Sequence, residues 1–481
     1  MAAVTVEEKE SPYKPVTPAI VEELKSIVGD SYVIFGDAER MADYAHDEVP
    51  GEEYVHMPEV VVRVANAQEI SQVLKLANRE MIPVTPRGAG SGLSGGAVAV
   101  CGGMILATDR MNKILEIDQA NMVAVVEPGV VTNDVNLAIK EFGLYYAGYP
   151  MSSETCFVGG NIAENAGGGR AIKYGVTSRY VLGLEVVLPT GEIVEMGGKR
   201  VKDVTGYDMV HLMVGSEGTL GVVTKVILKL LPLPGERVVL LVPFPDVQCA
   251  IDVVPLMARN QIVPSAVEFM DELTVRTIYD YAGEAPPAKK LGALLLIEVD
   301  AFNAEQAEAE YNRIVDVCLE HGALDAFVGD TPAKVKKMWK PRQDTADAFK
   351  KFAPVQSIED VVVPTAQIPQ LVAEVEALAE RYHLLIASYG HAGDGNLHAT
   401  PLKPAEMSME EWHEMLPRLL AELYQIVAKL GGTISGEHGI GHKRRRYLSL
   451  VMDPAMIELQ KRIKTAFDPN GILNPGKIFP A

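Results

Sequence analysis

Between Arg87 and Gly96 the chain reads RGAGSGLSGG, five glycines in ten residues. So many residues without a Cβ let backbone N–H groups approach a ligand closely and from several directions. A phosphate or pyrophosphate suits such a loop, and a flexible surface turn is the blander alternative. The window Gly90 to Gly95 also fits GxGxxG, but that fingerprint must open a helix. The next residues, Gly96 and then AVAVCGG, continue a helix poorly. A loop nest for phosphate is therefore favoured over a nicotinamide site. Two further clusters, GGNIAENAGGGRAIKYGV from Gly159 to Val176 and GSEGTLGVV from Gly215 to Val223, lie far along the chain. One mononucleotide would hardly use all three, whereas an extended dinucleotide would.

The remainder reads as alternating helix and strand. At 481 residues the chain exceeds the roughly 250–300 at which a single core stops growing, so two or three packed units are expected. Residues 17–45 look like a helical lead-in. Ile70, Val73, Leu74 and Ala77 mark one buried helix face. The run Leu231-Pro-Leu-Pro-Gly-Glu ends a series of strands and marks a boundary. Beyond it, strand-like segments alternate with amphipathic stretches, which predicts an α+β unit with its helices on one sheet face. The divisions fall at residues 1–55, 56–234, 235–430 and 431–481, the last packing back on the second.

A formal charge of -20 excludes a nucleic-acid partner, which needs clustered Lys and Arg. The four cysteines form no CxxC pair, so neither an iron–sulfur cluster nor a thiolate zinc site is expected. The first residues show no basic flank followed by an apolar core, so no targeting leader is expected, and no apolar run approaches the roughly 18 residues of a membrane span. A cytoplasmic protein without a transmembrane segment is expected.

Tyr389-GHAGDGNLHATPL carries the clearest chemistry. Asp394-Gly395 signals a two-residue hairpin turn, which would set His391 directly opposite His398, with Cβ atoms about 4.5–5.5 Å apart. Two imidazoles so placed suit one divalent ion, a stacked packing pair being the alternative. Ser435-Gly-Glu-His-Gly-Ile-Gly sets Glu437 and His438 between glycines, where the backbone bends enough for both to serve one site.

The order PVTPRGAGSGLSGG, EPGV, GGNIAENAGGGRAIKYGV, GSEGTLGVVTK, GHAGDGNLH, SGEHGIG and ILNPGKIF resembles the vanillyl-alcohol oxidase type flavoproteins, in the branch holding the FAD-linked D-lactate dehydrogenases and glycolate oxidases. The resemblance implies a two-subdomain FAD-binding domain and an α+β substrate (cap) domain with an antiparallel sheet. It implies FAD along Pro86, Arg87, Gly88, Ala89, Gly90, Ser91, Gly92, Leu93, Ser94, Pro150, Ser152, Gly160, Asn161, Ala166, Gly167, Val223 and Asn474. With no His or Cys between residues 86 and 96, the FAD is expected to be non-covalent. It further implies a divalent metal (iron, zinc or manganese) on His391, His398 and Glu437, and proton abstraction by His438. Arg342 of Trp339-Lys-Pro-Arg would grip the substrate carboxylate with paired hydrogen bonds, and Asn396 would help hold the substrate.

The expected activity is oxidation of a small 2-hydroxy acid, D-lactate first and glycolate next, to the 2-oxo acid. Electrons would pass to a separate acceptor such as an electron-transfer flavoprotein or an iron–sulfur subunit. Asp344 or Asp347, if facing the carboxylate pocket, would disfavour a dicarboxylate. A flavin-free metal hydrolase and a flavin-bearing scaffold subunit are the rivals. The stereochemistry, and whether the chain works alone, as an oligomer or within a complex, stay open.

Overall fold

The computed structural model describes residues 12–480, so the reading of the first eleven residues as free of a targeting signal lies outside the described residues. The first sheet has four strands in the order Val33–Ile34, Val60–Arg63, Met104–Ala107, Val84–Arg87, parallel except at its first pair. Its strand Val60–Arg63 is apolar on both faces, because helices Pro18–Val28 and Ala67–Glu80 cover Val60 and Val62 while Met41 and Ala99 pack with Val61 on the other side. The second helix starts where Asn66 accepts the Glu69 N–H at 2.9 Å, and it buries Ile70, Val73, Leu74 and Ala77. The lead-in is not wholly helical. Val33–Ile34 pairs antiparallel with Val61 and Val62, since a β-branched pair does better on a sheet edge than in a short helix.

The second sheet is antiparallel, in the order Ile114–Asp118, Val123–Val126, Val222–Lys229, Val181–Val187, Ile193–Gly197. The chain leaves it at Leu231–Pro232, which still pairs with Leu144–Tyr145. At Glu236 it enters a seven-stranded antiparallel sheet ordered Phe327–Gly329, Glu236–Phe244, Ala293–Ala301, Ala266–Asp271, Leu385–His391, Asn396–Leu402, Glu359–Val362.

Helices cover both faces of this sheet, contrary to the one-sided arrangement expected. Val247–Arg259, Ala304–Glu320, Ile368–Tyr382 and Met409–Lys429 pack on one face. Glu272–Ala282, Pro332–Gln343 and Thr345–Phe352 pack on the other. Ala293–Ala301 is accordingly buried at all nine positions, the near-continuous apolar run of a strand covered on both sides. After the last helix, Pro454–Phe467, the chain returns to the first sheet, where Leu473 bridges Val84 and the Asn474 N–H donates to the Val84 carbonyl. No helix among the described residues is long and apolar enough to cross a membrane.

Candidate active site

A cavity of about 430 Å3 runs between the glycine-rich loops and the seven-stranded sheet. Its walls include every residue from Pro86 to Ser94, together with Pro150, Ser152, Gly160, Asn161, Ala166, Gly167, Val223 and Asn474. Arg342, His391, His398, Glu437 and His438 line the same space. The walls fit a long ligand. An added Cβ at Gly92 or Gly160 would meet no atom within 4 Å, so these glycines hold the wall back from the cavity. Gly90 and Gly95 sit at φ +76 and +72, conformations that side chains rarely tolerate. Asn474 donates its amide to the Gly96 and Glu217 carbonyls at 3.0 and 2.8 Å, and its Oδ1 is buried without a partner among the described residues. Arg87 lines the cavity and its guanidinium donates to the carbonyls of Ala97 and Asp43, which braces the loop. Cys156, which the loop reading passed over, is also in the wall, its Sγ 3.3 Å from Thr132 Oγ1.

At the sheet end, three imidazole Nε2 atoms converge on one oxygen. Glu437 Oε1 lies 3.4 Å from His391, 3.4 Å from His398 and 3.7 Å from His438. His398 and His438 stack with ring centroids 5.0 Å apart, and the Nδ1 atoms of both are buried without hydrogen bonds. The hairpin differs in register from the simple reading. His391 pairs with Asn396 and Tyr389 with His398, so the connection is four residues, Ala392 to Gly395, rather than two. A shift of two residues preserves the face, and the two imidazoles meet diagonally at 5.7 Å instead of directly.

Glu437 and His438, neighbours in sequence, reach the same site because Asp360 captures their turn. Its Oδ2 accepts from Ser435 Oγ at 2.7 Å and from the N–H groups of Gly436, Glu437 and His438 at 2.9, 2.9 and 2.8 Å. Its Oδ1 accepts from Asn396 Nδ2 at 2.7 Å. Asn396 spends its amide on Asp360 and the Val361 carbonyl, and it lines a smaller adjoining cavity that shares Gly167, His391 and Glu437 with the main one.

Burial would raise the Glu437 carboxyl, but His391 and His398 hold it well below the usual range. Burial would lower His391, yet Glu268 and Glu437 on either side drive it well above its ordinary value. That position favours positive charge, which a divalent cation would supply. The donor set of His391, His398 and Glu437 fits such an ion; Asp360, His398, Glu437 and His438 form an overlapping group whose donor atoms lie within 4.8 Å of one another. Asp360 is the poorer ligand, because its oxygens already accept five hydrogen bonds. Burial pushes His438 down to about 4, leaving its ring neutral near pH 7.

Arg342 enters from helix Pro332–Gln343, where Trp339 shares its face at i, i+3. Its Nε and Nη2 each lie 2.8 Å from Glu268 Oε2, and its Cζ lies 5.4 Å from the Tyr389 ring. Asp344 pairs with Lys340 outside the cavity and Asp347 is exposed. Neither faces the site, so neither disfavours a dicarboxylate there. Sequence reasoning missed Glu268, Glu298 and Asp360. Each is an acid inside a strand, which reads as a surface residue until both faces of the sheet are known to be covered, where a charge persists only with partners.

Two family models match the chain. Residues 58–197 match the family model described as FAD binding domain, and residues 233–478 match FAD linked oxidases, C-terminal domain. Glycolate oxidase subunit GlcD of Bacillus subtilis is 38% identical over 96% of this chain and 97% of its own. D-lactate dehydrogenase of Anaerostipes hadrus is 39% identical over 97% and 98%, and D-2-hydroxyglutarate dehydrogenase of Stutzerimonas stutzeri is 32% identical over 96% and 99%. Among solved structures, p-cresol methylhydroxylase with substrate bound superposes with a TM-score of 0.78 at 20% identity, covering 97% of this chain and 98% of its own; that likeness concerns the fold alone. The chain therefore belongs to the FAD-linked oxidase family, with an FAD-binding domain joined to the family's C-terminal domain.

Proposed function

We propose that this protein oxidises a small 2-hydroxy acid to the 2-oxo acid, with D-lactate the first candidate substrate and glycolate the second. The observation that carries the reading is the single cavity shared by the glycine-rich loops and the His391, His398, Glu437, His438 and Arg342 cluster. A flavin-free hydrolase would leave the glycine-lined half without use. The relatives are named for D-lactate, glycolate and D-2-hydroxyglutarate. These names support the substrate class, and the third keeps a dicarboxylate in contention.

Arg342 binds the substrate carboxylate through the N–H groups that Glu268 leaves free. His438, neutral and stacked on His398, accepts the hydroxyl proton at Nε2. The histidine and carboxylate walls hold the hydroxyl end of the acid and limit bulk water there. FAD, when bound along the glycine-rich loops, supplies the acceptor for the hydride that leaves the α-carbon. A divalent ion, when held by His391, His398 and Glu437, supplies Lewis-acid polarisation of the hydroxyl. The flavin is held without a covalent bond, and its electrons leave to a separate protein acceptor, an electron-transfer flavoprotein or an iron–sulfur subunit.

The test is an anaerobic absorption spectrum of metal-replete, FAD-loaded protein during titration with D-lactate, L-lactate, glycolate and D-2-hydroxyglutarate. Bleaching of the oxidised flavin band by D-lactate or glycolate is expected. No bleaching by any of the four would overturn the 2-hydroxy-acid reading.

A further inference from the structure

We propose that Glu268 is a positioning residue shared by the two halves of the site, one carboxylate oxygen fixing the His391 ring and the other aiming the Arg342 guanidinium. The inference rests on the roles given above to those two groups. Glu268 lies on the central strand Ala266–Asp271, directly opposite His391 in the register, and is fully buried. Its Oε1 is 2.6 Å from His391 Nδ1, and its Oε2 is 2.8 Å from both Nε and Nη2 of Arg342.

Each contact sets an orientation. An ionised carboxylate only accepts hydrogen bonds, so His391 carries a proton on Nδ1 and turns Nε2 towards Glu437. On the other side Glu268 takes the Nε and Nη2 edge of the guanidinium. Both N–H bonds of Nη1 and the second of Nη2 remain for an anion in the cavity, with Tyr389 backing the plane. Arg342 therefore meets its substrate end-on, in a direction its own long side chain would not enforce.

A structural role alone accounts poorly for this residue. An apolar side chain on a doubly covered strand is often as stable as a buried ion pair or more so. The neighbouring loop has also been shaped around the carboxylate. A Cβ at Gly169 would stand 2.3 Å from Glu268 Oε1 and 3.5 Å from His391 Nδ1. One glycine of the AGGGR run thus makes room for Glu268, whereas Gly167, two residues earlier, lines the cavity.

The test measures two quantities on FAD-loaded enzyme: affinity for Zn2+ and Mn2+ by competition with a chromophoric chelator, and KM for the acid. Glu268→Gln keeps the shape but sets an amide where two donors need acceptors. About 10–100-fold weaker ion binding is expected, together with a KM raised about tenfold or more by the misaimed Arg342. Gly169→Ala displaces the carboxylate with its charge intact and should shift both quantities in the same direction by less, which keeps the proposal testable if Glu268→Gln fails to fold. Wild-type ion affinity and KM in both variants, with only a lowered melting temperature, would make Glu268 structural and overturn the proposal alone. Wild-type enzyme that binds neither ion would overturn the metal reading and this proposal together.

Discussion

His438 shows what one residue's surroundings decide. Its ring is buried, stacked on His398, and aimed through Nε2 at the oxygen that His391 and His398 also face. A neutral imidazole at that point is placed to take a proton, a contribution typically worth about 10²–10⁴-fold in rate. His438→Asn should lower kcat by that order with an artificial electron acceptor, while the visible absorption of the purified protein reports undiminished FAD. Undiminished turnover in a variant that retains FAD would remove His438 from the chemistry. At this scale the sequence was informative about histidines and glycines, which are scarce or clustered enough to stand out. It was uninformative about Glu268 and Asp360, because an acid in a strand reads as a surface residue until both faces are known to be covered. The bracing of the glycine loop by the Arg87 guanidinium, which donates to the Ala97 and Asp43 carbonyls, left no mark in the sequence.

Among the elements, the hairpin and the turn at Ser435 to Gly439 assemble the centre, and both depend on Asp360. The Asp-Gly pair pointed to the right turn but the wrong length, and a two-residue change kept both histidines on one face. The reach of Glu437 and His438 into one site was legible only as a permission given by flanking glycines. Its cause is the carboxylate of strand Glu359–Val362, which gathers three consecutive N–H groups and a serine hydroxyl. Asp360→Asn supplies one acceptor oxygen where two are used, leaving at least one buried donor unmet at about 1–3 kcal/mol. A lower denaturant midpoint together with lower kcat is expected. An unchanged midpoint with lost activity would instead assign Asp360 to the ion-binding group with which it overlaps.

Over the whole molecule, the sequence offered a boundary near Leu231 but no sign of the groups that join the FAD-binding and C-terminal domains. Arg170, which follows the three consecutive glycines of the second glycine cluster, crosses to Glu298 of the seven-stranded sheet at 2.7 and 3.0 Å. Lys173 and Tyr174 reach Asp300 on the same strand, and Trp339 Nε1 and Ser265 Oγ complete the Glu298 shell at 3.0 and 2.9 Å. Burial would raise the Glu298 carboxyl, but Arg170 outweighs it and brings the group down to about 2. Because that value lies below the ordinary 4.5, the stabilisation is fully present above pH 4.5 and is lost as pH falls towards 2. Arg170→Ala reverses the balance, leaving a buried carboxylate without its cation, a loss of about 3–5 kcal/mol near pH 7. In the variant, burial is opposed only by Arg237, Ser265 and Trp339, so the group moves upward, and acid relieves the variant's penalty while it removes the wild-type advantage. Denaturant unfolding followed from pH 7 down to pH 4 should therefore show the gap between the two proteins narrowing. A gap that stays constant over that range would mean the contact between the domains is held by packing and not by this pair.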